Sequence, residues 1–492
     1  MAAHPDAEMN TPNPFPFKSI LRRIWPLILV VVLASGLAVG WSRFANSPVD
    51  YANINDQFKY GSIGSEPANG VPYWIWKVLP DMFPEKLPGK GYESLGFIYE
   101  PEHSLPIGFA ERQILINRVG LNCAVCHTGL VQDTPDSKPL VISAMPANTV
   151  NLRGYIRFLF ECAQDERFTA SEMLPYIEQA GADLNPVQKL VYKFFAIPMT
   201  RSALITQGQR LSFLQRQPEW GPGRVDTFGP YKTLQFNYIM DNVPEDEIVG
   251  TADFPPIWAQ KPREGLQLHW DGNNSSVDER NLSAALGAGV TPTTVDHERI
   301  KRLADWLWEL PPPAYPYEVD EALAARGEPL FQNNCASCHV FGGAQVGQVT
   351  SIADIGTDPY RLNSYTYDTL SNQNTLYAGY PWRFSRFRKT NGYANMPLDG
   401  VWLRAPYLHN GSVPTLRDLL DAPEQRPQTF YRGNPLFDRE KVGFVADVAQ
   451  SGDKHYFQYE ANLPGNSNSG HRYGIDLSAD EKDALVEYMK KL

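Results

Sequence analysis

The pentapeptide Cys-x-x-Cys-His occurs twice, as Cys123-Ala-Val-Cys126-His127 and Cys335-Ala-Ser-Cys338-His339. The spacing lets two thiols add across the two vinyl groups of one haem while the adjoining imidazole reaches the iron, so each copy reads as a c-type haem attachment site. Two sites imply two haem domains, each organised around one covalent haem c. A zinc site made from the two cysteine pairs would not require a histidine after each pair. The fifth cysteine, Cys162, ends the apolar run Tyr155-Ile-Arg-Phe-Leu-Phe-Glu-Cys162 and is expected to be a buried structural thiol.

Residues Ile24 to Trp41 are an uncharged run of 18, preceded by Lys18, Arg22 and Arg23. That length just crosses a bilayer with its amino end inside, so residues 24–41 are expected to be an uncleaved anchor behind a cytoplasmic leader, residues 1–23. The small residues around Ala34-Ser-Gly36 supply the competing reading, a cleaved signal peptide. Either way the main body is exported, which suits thioether-forming cysteines and places the chain in the inner membrane, single pass, with its body in the periplasm.

The 41 prolines, alongside an aromatic content of 12%, point to irregular connections around helices rather than to disorder. Residues 42–106 are expected to form a Pro-rich arm, 107–310 the first haem domain and 311–492 the second, divided at Pro311-Pro-Pro-Ala-Tyr-Pro316. The fold is expected to be mainly α, two cytochrome c-type haem domains packed together behind an N-terminal transmembrane helix. Helices are expected over Asp296–Leu310, over Phe109–Leu121 leading to the first motif, and over Val319–Asn333 leading to the second. Thr169-Ala-Ser-Glu172 and Ser478-Ala-Asp-Glu481 read as capping boxes, and no alternating strand series stands out. A formal charge of −11 argues against nucleic-acid binding and fits a basic redox partner.

His127 and His339 are the expected proximal ligands. The sixth position on each iron decides between an electron carrier and a reactive site. Candidates are His103, His269, His297, His409, His455 and His471, with Met145 and Met396 as thioether alternatives.

Ala405-Pro-Tyr-Leu-His409-Asn-Gly-Ser-Val-Pro-Thr-Leu416 resembles the signature of the di-haem cytochrome c peroxidase superfamily, and His269-Trp270-Asp271-Gly272-Asn273 resembles its Trp-Asp-Gly segment. The resemblance implies that Trp270 lies between two haems and helps electrons pass. It is closest to the rubber-oxygenase-like branch, whose C-terminal segment is similar to Gly465-Asn-Ser-Asn-Ser-Gly-His471. The ligand methionine of the peroxidases is replaced here by Pro423, so His471, in what reads as a flexible polar loop, is expected to ligate the second iron. His409 is the runner-up, or a haem-pocket residue holding the cofactor through hydrogen bonds.

Peroxide-cleaving relatives place a Glu after Trp-Asp-Gly, whereas Leu282–Val295 contains no carboxylate. Asp278 and Glu279 read as capping and surface charges. Three roles are open for His269: distal acid or base, a ligand closing the first haem, or a packed polar residue.

Three functions compete: an oxidoreductase reacting with peroxide or dioxygen at the first haem and relaying electrons through the second, a pure electron-transfer cytochrome, and a rubber-oxygenase-like dioxygenase acting on an apolar alkene. A redox partner protein or a quinol-linked membrane complex would exchange electrons with the chain. Relatives carry Ca2+ between haem domains, but no EF-hand-type acidic loop occurs here.

Overall fold

The computed structural model describes residues 25–26, 28–36 and 46–492. The chain divides into two compact units: one comprises the amino-terminal residues up to Ser47 with Gln113–Leu115, the other Pro48–Arg112 and Ile116–Leu492. In the first unit, residues 28–36 are helical and exposed. The leader 1–23 and residues 24, 27 and 37–41 of the expected anchor lie outside the described residues. Among the described residues no helix is long and apolar enough to cross a membrane.

Helices dominate the second unit, and their ends follow from local chemistry. Helix Leu152–Gln164 starts where the Asn151 side chain accepts from the Gly154 amide at 2.9 Å. It buries Leu152, Tyr155, Phe158, Leu159 and Cys162, the spacing that puts side chains on one helical face. Tyr155 packs edge-on against Tyr92, Phe97 and Phe109, and Cys162 is fully buried, as its apolar surroundings predict.

Helix His297–Glu309 is capped by Asp296 and ends just before the proline run. Helix Glu321–Asn334 delivers its last turn to Cys335, as expected, and packs across the terminal helix Ala479–Met489. The latter opens with a full capping box, Ser478 and Glu481 each accepting from the other's backbone amide. Thr169 caps its helix through the Glu172 amide but lacks the reciprocal bond.

The expected helix over Phe109–Leu121 is instead two strands, Phe109–Ile114 and Ile116–Leu121, broken at Leu115, whose φ is +62°. Ile116–Leu121 pairs antiparallel with Val71–Pro72, a partner remote in sequence that local periodicity cannot reveal. Further short strands, two to four residues each, occur mostly as two-stranded ribbons, so the structure has more β elements than the sequence suggested. The Pro-rich stretch forms helices Ile54–Tyr60 and Tyr73–Met82 and contributes Ile75, Trp76 and Leu79 to the first core. Two other cores draw side chains from both sides of Pro311, one from Phe58 to Phe387, the other from Val131 to Met489.

The crossing at the second motif depends on Gly327, where an added Cβ would lie 1.9 Å from the Ala484 carbonyl oxygen. Replacing it by alanine must push the two helices apart, since neither backbone can yield alone. Gly327→Ala is expected to destabilise the chain by about 1–3 kcal/mol, measured as a lower denaturation midpoint with both motifs unchanged.

Candidate functional site

Each Cys-x-x-Cys-His motif presents its histidine in one tautomer. His127 Nδ1 donates to the Pro255 carbonyl at 2.9 Å, and His339 Nδ1 to the Met396 carbonyl at 2.7 Å. A carbonyl only accepts, so Nδ1 carries the hydrogen and Nε2 keeps its lone pair for a metal. Burial pushes His127 down to about 4 and lowers His339 as well, leaving both imidazoles neutral at pH 7. The four motif thiols are free and pushed up by burial, Cys123 and Cys335 to about 11. Among the described residues no three His, Cys, Asp or Glu side chains gather as a metal site.

His471 faces His339, with ring centres 6.2 Å apart. A metal–imidazole bond is about 2.0–2.1 Å and the ring centre lies roughly 1.1 Å behind the donor nitrogen, so two imidazoles on opposite faces of one iron have centres about 6.3 Å apart. The pair is therefore spaced to take an iron between them. His471 Nδ1 is buried without a hydrogen-bond partner, and burial, with the nearby His339 and Arg426, pushes the ring down to about 3.

The loop carrying His471 is rigidly held, contrary to the flexible loop its composition suggests. Buried Arg426 donates to the carbonyls of Asn468 at 2.6 Å, Gly470 at 2.9 Å and His471 at 3.0 Å. The His471 amide donates to Ile355. Gly470, at φ +73°, lies so close to Ile355–Thr357 that a Cβ would clash with backbone, and His471 itself has φ +48°. A left-handed non-glycine residue costs roughly 1–3 kcal/mol and persists only where its surroundings impose it.

His409 lies elsewhere. It is buried, stacked on Tyr393 at 4.0 Å, and its Nε2 has no partner. Burial and the charges of Arg361 and Arg224 lower it far below the ordinary histidine range. His103 stacks on Tyr60, His297 sits against Trp382 and His455 is exposed on a short ribbon, so none of these three rings is paired with a motif histidine. Met145 is fully buried beside Gly129, and Met396 serves through its carbonyl on His339.

Around the first motif the arrangement differs. The ring nearest His127 among its described ring contacts is Phe254, at 6.4 Å. His269 has φ +62°, donates from Nδ1 to Asn273 Oδ1 at 2.6 Å, and stacks on Phe387 at 6.0 Å. Burial pushes it down to about 4.

Trp270 sits at the junction of both sites. Its Nε1 donates to the Asp253 carbonyl at 2.9 Å, two residues before Pro255, and its own carbonyl accepts from Ala394, two residues before Met396. A chain of hydrogen bonds and short backbone segments thus joins His127 to His339 with Trp270 in the middle. The Asp253 amide donates to the His409 carbonyl, tying in the segment Ala405–Leu416.

Two carboxylates near this junction are committed to buried pairs. Asp271 is held by Arg361 at 2.7 Å and Asp253 by Arg432 at 2.5 Å. Burial raises Asp253 to about 6 against the pull of Arg432. Glu279 is no surface charge: it accepts from the Ser385 and Arg386 amides at 2.8 and 2.9 Å, pinning that loop. Asp278 is exposed on helix Val277–Gly287.

The cytochrome c family matches residues 324–399, the span that contains the second motif and its Met396 acceptor. This part of the chain is similar to a cytochrome c domain, the kind of domain that holds covalent haem c. A RoxA-like, cytochrome c-like family description matches residues 392–431, which takes in the Pro-Tyr-Leu-His409 segment. The first motif lies outside both spans. Two uncharacterised proteins of Sinorhizobium fredii (strain NBRC 101917 / NGR234) are similar to this chain. One, y4iM, is 35% identical over 49% of this chain and 64% of its own length, so the match spans just under two thirds of that relative. The other, y4iJ, is 24% identical over 96% of this chain and 99% of its own.

The residues missed in the sequence are mostly backbone acceptors and arginines. Pro255 and Met396 act through carbonyls, which carry no sequence signal, while Asp253, Arg432 and Arg426 acquire their roles only through partners far along the chain. Arg432 bonds Pro222, Gly411 and Asp253 together. Arg432→Met would leave Asp253 buried and unpaired, and is expected to cost about 3–5 kcal/mol, read as a lowered denaturation midpoint, whereas Arg432→Lys should recover part of it.

Proposed function

We propose that this protein is a membrane-anchored periplasmic di-haem oxidoreductase of the peroxidase superfamily, reactive at Cys123/Cys126/His127 and relaying electrons at Cys335/Cys338/His339. The observation that carries the reading is an asymmetry. At the second motif His471 stands 6.2 Å from His339, the spacing of a closed bis-histidine site, while among the described residues no histidine ring is paired with His127 in this way. Haem in a closed site supplies electron transfer, and in an open one the binding and reduction of peroxide or dioxygen.

The chain's own groups then divide the work. His471 and His339, both kept neutral by burial, close the second site against exogenous ligands. Trp270, bonded to Asp253 on one side and Ala394 on the other, holds the two sites in fixed register. His269, neutral and oriented by Asn273, is the group in this segment able to take or give a proton near the first site.

Dioxygen is favoured over peroxide by one further observation. Residues 282–295 hold no carboxylate, and two acids of the preceding stretch, Asp271 and Glu279, are engaged by Arg361 and by the Ser385–Arg386 loop. Neither is free to carry a proton between two peroxide oxygens. The RoxA-like match over residues 392–431 supports the same choice. Electrons would be exchanged with a redox partner protein or a quinol-linked membrane complex, and the apolar run 24–41 would anchor the chain. The possible Ca2+ finds no cluster of acidic side chains among the described residues.

Visible and electron paramagnetic resonance spectra of the oxidised protein, followed by reduction under carbon monoxide, test the reading. One high-spin or carbon monoxide-binding haem beside one low-spin haem is expected; two low-spin haems that both ignore carbon monoxide would make the chain an electron carrier only. His471→Ala is expected to convert the second haem from low-spin to high-spin with both haems still attached. Trp270→Phe, which removes the bond to Asp253, should slow electron equilibration between the haems at least tenfold without altering either spin state.

A further inference from the structure

One helical stretch of the second unit carries an apolar stripe on the side turned to solvent. It runs without a break through helix Pro186–Val191, a wider π-type turn Tyr192–Ala196 and helix Ile197–Arg210, opened by a capping box between Asn185 and Gln188. Its inner side buries Tyr192, Ala196, Ile197 and Leu204 in the first core, which accounts for the folding of the segment. Its outer side holds Val187, Leu190, Phe194, Phe195 and Met199, each between 55% and 69% exposed. Their spacing keeps them on one face over about 18 Å of helix, at 1.5 Å per residue. The Ile197 amide reaches back five residues to the Tyr192 carbonyl, and the residue gained in that turn leaves two phenylalanines side by side at the surface.

A single exposed apolar side chain is ordinary, whereas a continuous stripe marks a surface that something covers. Elsewhere in the second unit, among the described residues, large exposed apolar side chains stand singly along the sequence or, at Val340–Phe341, as one pair. The charge of the stretch points to what covers it. Residues 186–210 contain Lys189, Lys193, Arg201 and Arg210 and no Asp or Glu, in a chain of formal charge −11. Arg201 and Arg210 turn inward to the Ala163 and Thr233 carbonyls, whereas both lysines are exposed. Lys193 makes no ion pair among the described residues, and its ammonium stands 5.4 Å over the Phe194 ring. Lys189 meets Glu178 at 2.8 Å with both side chains about half exposed, a pair that water and salt readily loosen.

A helix with phenylalanine and aliphatic side chains on one face, lysines beside them and no acid has the composition of one that lies in the plane of a membrane interface. A second copy is the poorer fit, since a two-fold contact would set the same cationic stripe against itself. An anionic lipid surface answers both features: the acyl boundary accepts the stripe, and phosphate groups meet ammonium groups carried on flexible stems. We propose that the outer face of residues 186–203 is a lipid-binding surface that seats in the interfacial layer of an anionic bilayer, with the five apolar side chains entering the acyl boundary and Lys189 and Lys193 meeting headgroup phosphates. The inference rests on the exported, membrane-anchored part of the reading above. A body tethered by the run 24–41 meets the bilayer at high effective concentration, so a face of modest affinity suffices. Seated in this way, the second unit presents one fixed side to the lipid, which a tether alone does not impose.

The full holoprotein, reconstituted in vesicles of equal parts phosphatidylcholine and phosphatidylglycerol with a trace of photoactivatable phosphatidylglycerol, tests the proposal by mass-spectrometric mapping of lipid adducts. Residues 186–203 should carry about tenfold more adduct than the exposed ribbon at residues 450–455. The Phe194→Asp/Phe195→Asp double variant should lose most of that excess and Phe194→Leu/Phe195→Leu should keep it. Both positions are exposed, so haem content and the denaturation midpoint should stay unchanged. Labelling of 186–203 at the level of the ribbon, or labelling that survives the Asp substitutions, would overturn the proposal. Adducts over 24–41 report the anchor separately: label there without label at 186–203 keeps the anchor and sinks the lipid face, and the reverse keeps the lipid face and sinks the anchor. A dimer in sedimentation that the Asp variant dissociates, with 186–203 shielded from lipid, would give the face to a second copy and overturn the proposal as well.

Discussion

Three short hydrogen bonds from the segment Asp253–Pro255 set the positions of the groups that matter most. Its carbonyls receive His127 at Pro255 and Trp270 at Asp253, and the Asp253 amide reaches the His409 carbonyl. Buried backbone groups must be paired. Here the two carbonyls are paired with functional side chains and the Asp253 amide with a motif segment, while Asp253 ends a strand paired with Arg224–Asp226 and the Phe254 amide donates to Gly223. The segment is locked by the Asp253–Arg432 pair, which in turn holds Pro222 and Gly411. Movement of any one member would be felt at the first motif, at Trp270 and at His409 together.

The two motif sites share their proximal chemistry and differ opposite to it. Both histidines give Nδ1 to a carbonyl and keep Nε2 for a metal. Among the described residues only the second has another imidazole at the separation an iron would impose, and a strained backbone at His471 is sustained there by the Arg426 clamp and the close approach of Gly470. The match to cytochrome c and RoxA-like families lies on the second side, 324–431, which leaves the first motif to be judged on its own geometry.

Buried charge is the other organising feature. Asp253, Asp271 and Asp399 are each committed to arginine, and Glu279 to backbone amides, so acids that look available in the sequence are consumed by structure. An interior whose carboxylates are held by arginine is poorly suited to proton shuttling by those carboxylates.

The sequence alone determined the attachment chemistry, because Cys-x-x-Cys-His places thiols and imidazole within one turn whatever surrounds them. It also determined the helices at 297–309, 321–334 and 479–489, whose caps Asp296, Asp320 and Ser478 lie beside the helices they start. Where pairing is non-local it misled: residues 109–121 became strands because Val71–Pro72 lies alongside, and residues 465–471 became rigid because Arg426 reaches them. Tertiary structure alone decided that His471 and not His409 faces His339, and that Pro255 and Met396 are the acceptors. Each of these depends on distances between segments tens to hundreds of residues apart, which are fixed only when the cores close.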